Sequence, residues 1–440
     1  MDYKPYLMKD VYAAEKKNLF KVISLFAGMG GSSTGYRLAG GNVIAANEFM
    51  ESARKIYSKN YPHTLVIPED IRKLTGKKIL NQVGLKKGEL DVLDGSPPCA
   101  SFSNQVLKTR EKSWGKKKIY SKTVQRVDDL FFEFARILNE IQPKVFIAEN
   151  VRGLTMGNAK KILGSKSKSL TAFGKLKKDL SETQTITEAL RSCGYKVSFK
   201  LLNSLDFGVP EKRVRLIFIG VRNDIDFRPS FPKSINTKPI HAKDVIGHLL
   251  FNGSQFWMRP DTVVCKTMKK YFPALTDREA IMKISRGQNI KELYESIYDR
   301  TNWFNTHFTI CQSNRPIHAL VDRWESIEEA KAIQSFPEDF DLLQENVETR
   351  MLSINELEGL TGLANHEAGF NCCDVDKVLK LSKLNVSRDD KFFRLDFKTS
   401  NKRADAIGHA QSWEYIGRAV PPLMMKAIAK HVYENILKAV

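Results

Sequence analysis

The chain has 440 residues, 42% of them hydrophobic, which is enough for two or three domains with a core that needs no disulfide or metal. Its six cysteines lack the spacing of a disulfide framework or of paired zinc knuckles, and no apolar run is long enough for a secretion signal or a membrane span. The formal charge of +20 predicts a polyanionic partner, because clustered Lys and Arg displace counterions from phosphates. These properties favour a reducing cytoplasm and exclude a disulfide-stapled secreted protein.

The first hundred residues predict two strand-turn-helix units. Residues 21–26 form an apolar run that indicates a buried strand, and a glycine-rich turn and a helical pattern over 34–39 follow it. Residues 43–46 predict a second strand, which ends at Glu48 and precedes another helical pattern.

The same alternation continues as far as residue 221. Further strands are predicted at 90–93, 145–148, 197–202 and 214–221, with a helix at 130–141. Two later helices are predicted at 327–333 and 423–437. Strands that alternate with helices predict an α/β fold with a mainly parallel sheet and helices on both faces. From about Asp224 the rhythm breaks, which indicates a second, smaller domain.

Ligands of such sheets bind at the carboxyl ends of the strands. Five polar or glycine residues directly follow the predicted strands or lie close behind them: Gly28, Glu48, Asp70, Cys99 and Glu149. Residues chosen only for packing rarely coincide in this way, so the carboxyl edge is the candidate site.

Cys99 lies on a stiff turn, Gly95-Ser96-Pro97-Pro98-Cys99. Proline fixes φ and removes a backbone donor, so local covalent geometry sets the position of the thiol, as suits a nucleophile. A small buried cysteine at a strand end remains the alternative for this motif taken alone.

The turn from Phe26 to Gly31 contains Gly28, Gly30 and Gly31, and the acid Glu48 follows the next strand. An acid at this position can accept both hydroxyls of a ribose, and the absence of a basic phosphate clamp favours a nucleoside cofactor such as S-adenosylmethionine (AdoMet). Glycines that serve packing alone remain the alternative.

Glu149 ends an apolar strand, so its carboxyl is expected in a partly dry site with a raised pKa. Arg213 and Arg215 alternate along a strand and are expected to point to one face. Thiol, carboxyl and arginines suit activation of a pyrimidine: a thiolate adds at C6, and C5 then takes a methyl group. Such chemistry requires a flipped-out base.

Taken in order, these motifs resemble those of DNA cytosine-5 methyltransferases of the bacterial restriction-modification type. The resemblance spans most of the chain and rests on Phe26–Gly31, Asn47-Glu48-Phe49, Asp70-Ile71, Pro97-Pro98-Cys99, Leu130, Glu149-Asn150-Val151, Arg213-Val214-Arg215, Ile333–Pro337 and Gly417–Pro422. It implies the Rossmann-like fold of AdoMet-dependent methyltransferases, with a smaller target-recognition domain.

The resemblance also implies a role for each site residue. Cys99 would be the nucleophile, Glu149 would contact N3, Arg215 would reach the cytosine O2, and Arg213 would brace the site. AdoMet would be lined by Phe26, Gly28, Gly30, Glu48, Phe49, Asp70, Ile71, Pro98, Leu130 and Val420. No metal site is expected, since His366, Cys372 and Cys373 have poor ligand spacing.

The resemblance divides the chain into four parts. Residues 1–222 would form the catalytic AdoMet-binding domain, 223–341 the target-recognition domain and its return, 342–405 an insertion, and 406–440 a segment that packs back on the catalytic domain. The basic stretch 108–122 would contact phosphates of double-stranded DNA. The expected protein is a monomer of a bacterial or phage-infected cytoplasm, without a membrane association.

Three residues depart from the family pattern: Ala100 and Glu211 each replace a usual Gln, and Arg418 replaces a usual Asn near the cofactor. Three other functions stay open at this point. They are a tRNA cytosine-5 methyltransferase, a catalytically silent DNA-binding regulator and a small-molecule methyltransferase. The long variable region favours DNA over tRNA, and the complete set of catalytic motifs disfavours the regulator.

Overall fold

The computed structural model describes residues 4–97, 118–120, 123–125, 130–152, 182–235, 238–246, 306–310, 325, 327–343, 352–353, 386–388, 392–395 and 409–440. The chain divides into two compact units. The sheet unit contains Leu7–Phe207, Arg213–Asn236 and Ala419–Val440, and the second unit contains Met1–Tyr6, Gly208–Lys212 and Thr237–Arg418. The division of the chain into domains that end at residues 222, 341 and 405 stays a prediction.

The described strands and helices are numbered in chain order. The strands are β1 (Lys21–Leu25), β2 (Asn42–Asn47), β3 (Leu65–Ile67), β4 (Val92–Gly95), β5 (Lys118–Tyr120), β6 (Thr123–Gln125), β7 (Val145–Val151), β8 (Tyr195–Asn203), β9 (Val214–Arg222), β10 (Leu352–Ser353), β11 (Val386–Arg388) and β12 (Phe392–Leu395). The helices are α1 (Met8–Glu15), α2 (Gly31–Leu38), α3 (Glu51–Asn60), α4 (Gly76–Val83), α5 (Leu130–Ile141), α6 (Glu182–Ser192), α7 (Ala242–Ile246), α8 (Ile327–Ile333), α9 (His409–Arg418) and α10 (Pro422–Asn435).

Seven strands of the sheet unit form one sheet in the order β3-β2-β1-β4-β7-β9-β8. The pairs from β3 to β7 are parallel, whereas β9 runs antiparallel to both β7 and β8. The mainly parallel α/β sheet predicted from the sequence is therefore confirmed. The reversed strand β9 brings its amino end to the edge where the parallel strands have their carboxyl ends.

One face of the sheet carries the main hydrophobic core. Ile23, Leu93 and Phe146 lie side by side in register on β1, β4 and β7. All three pack in a cluster with Phe134 and Leu138 of the amphipathic helix α5. Burial of this apolar surface is the main term that stabilises the sheet unit.

The opposite face is different because it carries polar residues. Ser24 and Asp94 follow Ile23 and Leu93 along their strands, so their side chains point away from the α5 core. Helix α2 covers this face, since its Tyr36 contacts Asp94. Helices thus lie on both faces, as the sequence predicts.

Most predicted elements agree with the structure within a few residues. The helices predicted at 130–141 and 327–333 have those bounds, and the strand predicted at 90–93 runs over Val92–Gly95. The elements without a counterpart in the pattern are helices α1, α4, α6, α7 and α9 and the short strands β3, β5, β6, β10, β11 and β12.

The second unit has its own packed elements. Helix α8 packs against α7 and α9, and strands β10, β12 and β11 form a small antiparallel sheet. None of the helices in the described part of the chain is long and apolar enough to cross a membrane.

Candidate active site

The described candidate residues that follow the strands lie at one edge of the sheet, the catalytic edge. The strand ends align there, because Leu25 pairs with Gly95, Gly95 pairs with Ala148, and Val151 pairs with Arg215. Residues that follow β1, β2 and β4 therefore lie along the same edge of the sheet as those that begin β9.

The turn after β1 has a backbone that few residues can adopt. Phe26, Gly28 and Gly30 have φ angles of 55°, 56° and 105°. A Cβ at Gly30 would lie 2.9 Å from the Tyr61 ring and 3.2 Å from the Tyr57 ring, so the site admits only glycine. A Cβ at Gly28 would meet nothing within 4 Å, which leaves open space beside the turn.

Glu48 is fixed against this turn. Its Oε2 accepts a hydrogen bond from the Gly28 amide at 2.8 Å, and its Oε1 accepts one from the Met50 amide at 2.7 Å. A carboxylate can accept about four hydrogen bonds on its two oxygens, so an acid at this position can also bind ribose hydroxyls. Beside it the Phe49 ring is 42% exposed, although large aromatic side chains are usually buried.

The other candidate cofactor residues have varied surroundings. Asp70 is half-buried and accepts a hydrogen bond from the Arg72 amide at 3.0 Å. Ile71, Leu130 and Val420 are buried apolar residues. The open glycine turn, the fixed carboxylate and the exposed ring fit a nucleoside cofactor such as AdoMet.

A buried network supports the turn from behind. The Arg37 guanidinium lies 3.8 Å from the centre of the Tyr61 ring and pairs with Glu15 of α1 at 2.8 Å. The Tyr61 hydroxyl bonds to Thr34, whose hydroxyl also donates to the Gly30 carbonyl at 2.8 Å. Helix α1 is thus connected to the glycine turn through polar side chains.

Glu149 lies at the carboxyl end of β7, and its carboxyl is largely buried. Arg215 Nε is 2.9 Å from Glu149 Oε1, and Arg213 also acts on this carboxyl. Burial raises the pKa of Glu149 above its ordinary value, although the two arginines and the Ser96 hydroxyl act in the opposite direction. A protonated Glu149 can donate a hydrogen bond to a ring nitrogen.

The reversed direction of β9 explains how Arg215 reaches Glu149. Arg215 is the second residue of β9 and pairs with Val151, which is two residues beyond Glu149. The Arg215 and Glu149 side chains therefore point to the same face. Arg213 is fully buried just before the strand.

Cys99 and Pro98 lie outside the described residues, as do Ala100, the basic stretch 108–117, residues 247–305 and the residues His366, Cys372 and Cys373. Around Cys99 the described part of the chain ends at Pro97 and resumes at Lys118. Gly95 lies so close to Phe134 that an added Cβ would be 2.5 Å from its ring. The start of the turn that leads to Cys99 is therefore packed against α5.

The sequence pattern did not identify three polar residues on the α2 face of the sheet. Ser24 and Tyr36 both contact the buried carboxyl of Asp94. The available signal was Asp94 itself, a charged residue between the apolar Leu93 and Gly95 in a strand buried on both faces. Among the described residues no group of His, Cys, Asp or Glu could hold a metal ion.

The fold is shared with a solved structure. A crystal structure of a DNA modification methyltransferase encoded within an E. coli prophage has the same fold, with a TM-score of 0.56 and 18% identity over 94% of this chain and 99% of that chain. The parallel sheet with one reversed strand, and the glycine turn and acid at its edge, define a doubly wound α/β protein that binds its ligand at the carboxyl ends of the strands.

The chain belongs to the C-5 cytosine-specific DNA methylase family, whose family model matches residues 20–354. It is similar to the Type II methyltransferase M.NgoPII of Neisseria gonorrhoeae, with 27% identity over 75% of this chain and 89% of the relative. It also resembles M.AquIA of a Picosynechococcus strain, with 34% identity over 51% of this chain and 80% of the relative. The protein is therefore an AdoMet-dependent DNA cytosine-5 methyltransferase.

Proposed function

We propose that the protein methylates one cytosine within a specific duplex DNA sequence, as a Type II modification enzyme, with Cys99 as nucleophile and Glu149 as proton donor. The observation that carries this proposal is the buried Glu149–Arg215 pair at the catalytic edge. It lies beside the strand that leads into the Cys99 turn, because β4 and β7 are neighbours in register.

The proposed reaction divides one difficult step into easier ones. The Cys99 thiolate adds to C6 of the flipped-out base while the Glu149 proton moves to N3, and Arg215 donates hydrogen bonds to O2. The electron pair at C5 then takes the methyl group. Loss of the C5 proton to water expels the thiolate from C6, and the N3 proton returns to Glu149. Both side chains end as they began.

AdoMet, when bound, supplies the methyl group of its sulfonium. We assign its site to the residues that line the open glycine turn. Glu48 would accept the ribose hydroxyls, and the exposed Phe49 ring would stack on the adenine. The open space beside Gly28 would let the backbone of the turn lie close to the cofactor. The remaining proposed contacts are Phe26, Gly30, Asp70, Ile71, Pro98, Leu130 and Val420.

DNA binding is assigned to the basic stretch 108–122 and to a target-recognition domain within residues 223–341. The relatives named above are Type II methyltransferases, and the charge of +20 suits a DNA ligand. We propose a monomer, because a single chain carries both the catalytic edge and the variable region. The named relatives are bacterial, and we propose that this enzyme acts in the cytoplasm of a bacterium or of a phage-infected cell.

Two linked experiments test the proposal. Bisulfite sequencing of DNA from cells that express the protein would give the target sequence, with tRNA from the same cells sequenced alongside. A duplex with 5-fluorocytosine at the target position would then be incubated with enzyme and AdoMet. Fluorine cannot leave C5 as a proton, so we expect a covalent protein–DNA adduct that survives denaturing electrophoresis.

The variants define the roles of the two residues. Cys99→Ser should form no adduct and methylate no DNA while still binding the duplex. Glu149→Gln should lower the single-turnover rate by roughly 10²- to 10⁴-fold, since it cannot give a proton to N3. An adduct with Cys99→Ser would exclude this nucleophile, and methylation confined to tRNA would exclude DNA as the substrate.

A further inference from the structure

Asp94 is a buried carboxyl on a central strand of the sheet. It is 1% exposed, and the main hydrophobic core lies on the other face of the sheet. Its Oδ2 accepts a hydrogen bond from Ser24 Oγ at 2.6 Å, and its Oδ1 accepts one from the Tyr36 hydroxyl at 3.1 Å. Burial of a carboxyl costs free energy unless it is hydrogen-bonded. The Ser24 and Tyr36 hydroxyls offset that cost for Asp94.

Asp94 shares its face of the sheet with Glu149. Asp94 pairs in register with Ile147 on the neighbouring strand, and Glu149 is two residues beyond Ile147. Side chains two residues apart on a strand point to the same face. The two carboxyls are close enough that the charge of Glu149 acts on Asp94.

The groups that face the two carboxyls come from every neighbouring element. Asp94 faces Ser24 of β1, Tyr36 of α2 and Glu149 of β7. Glu149 faces Arg213 and Arg215 at the start of β9 and Ser96 just after β4. Tyr36 stays protonated, because burial and the Asp94 charge raise the pKa of its hydroxyl well above the ordinary value.

The surroundings of Asp94 adjust its ionisation to neutral pH. Burial raises the pKa of Asp94 to about 7, and the charge of Glu149 adds to this effect against the hydrogen bonds from Ser24 and Tyr36. Asp94 therefore changes charge near neutral pH. Two carboxyls that interact in this way titrate as a pair.

We propose that Asp94 is a positioning residue whose ionised form favours the protonated form of Glu149. This inference rests on the role proposed above for Glu149 as proton donor to N3. Arg213 and Arg215 both favour the ionised form of Glu149, which cannot donate. An ionised Asp94 on the same face opposes them, because a negative neighbour makes a second carboxylate harder to form.

The test is the pH dependence of single-turnover methylation, measured from about pH 6 to about pH 9.5. Asp94→Asn keeps the shape of the side chain and removes the charge. Its rate should equal that of the unchanged enzyme below the Asp94 pKa of about 7. The alkaline limb is the part of the pH–rate profile in which the rate falls as the pH rises. In Asp94→Asn this limb should move to lower pH by roughly half a unit to one unit, which corresponds to about a threefold to tenfold lower rate at high pH.

Two further variants keep the test decisive if Asp94→Asn folds poorly. Ser24→Ala removes a donor that favours ionised Asp94, so its alkaline limb should move in the same direction by less. Glu133→Gln is the matched control. Glu133 is a largely buried carboxyl of α5 that pairs with Arg136 on the other side of the sheet, and its variant should leave the profile unchanged.

The outcomes distinguish this inference from the proposed function. If the unchanged enzyme methylates no DNA, the proposed function fails. If the unchanged enzyme is active and Glu149→Gln impairs it, but Asp94→Asn and Ser24→Ala leave the alkaline limb in place, Asp94 does not act through Glu149. If the role of Asp94 is purely structural, Asp94→Asn should lower the unfolding temperature and should lower the rate by the same factor at every pH.

Discussion

A histidine and a glutamate form a buried pair in the second unit. His307 of the second unit is fully buried, and its Nε2 lies 3.0 Å and 3.1 Å from the two carboxylate oxygens of the equally buried Glu325. Its Nδ1 lies 2.6 Å from the Phe308 carbonyl. Both ring nitrogens therefore face acceptors, which requires the doubly protonated imidazolium.

His307 lies where two segments of the second unit, 208–212 and 306–310, are joined by hydrogen bonds. Lys212 donates its amide to the His307 carbonyl at 2.7 Å, and the His307 amide donates to the Pro210 carbonyl at 2.9 Å. The Ile310 amide donates to the Glu211 carboxylate at 2.5 Å. Glu211, where the family usually has Gln, thus bonds to the backbone of the segment that follows His307.

This junction should weaken as the pH rises. Burial alone would lower the pKa of His307, but the charge and hydrogen bond of Glu325 outweigh it, so the pKa lies above its ordinary value. A raised folded-state pKa gives stability that is complete below the unfolded value of about 6.5 and is lost as the pH rises through the folded value. Hydrogen exchange of the segments 208–212 and 306–310, corrected for intrinsic rates, should show this loss.

His307→Gln is the variant for this prediction, because Gln is neutral at every pH. Protection of the two segments should be lower than in the unchanged protein and should no longer depend on pH. Strand β7 in the sheet unit serves as the internal control, and its protection should not change. Equal pH dependence in both proteins would show that His307 is not the titrating group.

The sequence could predict single site residues better than the partnerships between them. Glu149 was predicted from its place at a strand end, and Arg213 and Arg215 were predicted to point to one face. Ser24, Tyr36 and Asp94 were not, because their relation depends on strand register and on the packing of α2. Register between strands distant in the chain leaves no periodic signal.

At the scale of elements, apolar periodicity identified the long, strongly patterned segments. Helix α5 has nine buried residues over its twelve positions, and its bounds were predicted correctly. Helix α1 has only Met8 and Val11 buried, and β3 has three residues, so neither has a clear pattern. The reversal of β9 was also not predictable, since alternation carries no strand direction.

Helices α2 and α10 approach each other closely at Gly35. A Cβ added at Gly35 would lie 2.5 Å from the Met425 Cβ and 2.7 Å from the Pro422 carbonyl oxygen. Backbone atoms cannot move away cheaply, so the contact requires glycine. The contact joins the end of the chain to the helix that follows the glycine turn.

Gly35→Ala should therefore destabilise the sheet unit by about 1–3 kcal/mol, as overpacking does. In an exposed helix the same change stabilises by roughly 0.5–1 kcal/mol, so the sign itself is diagnostic. Urea unfolding would measure it, with Ser58→Ala at an exposed position of α3 as the control within about 0.5 kcal/mol of the unchanged protein. A stabilised Gly35→Ala protein would contradict the close approach of the two helices.

At the scale of the whole molecule, the charge of +20 is spread unevenly along the sequence. Lys116, Lys117 and Lys118 lie in the basic stretch that follows Cys99. Lys9, Lys16 and Lys17 lie on or just after α1 and are exposed. Two sets of three lysines can therefore be changed with the same reduction of net charge, which separates local phosphate binding from the field of the whole protein.

Replacement of Lys116, Lys117 and Lys118 by Gln should reduce the salt dependence of DNA binding. Each neutralised phosphate adds about 0.9 to the slope of log K against log salt, because binding releases the counterions of that phosphate. The slope of the triple variant, measured between about 50 and 200 mM salt by fluorescence anisotropy, should therefore fall by about 0.9 for every phosphate that the variant no longer neutralises. The Gln variant at Lys9, Lys16 and Lys17 should keep the slope. If the slope falls equally in the two variants, net charge alone attracts the DNA, and the stretch after Cys99 binds no phosphates of its own.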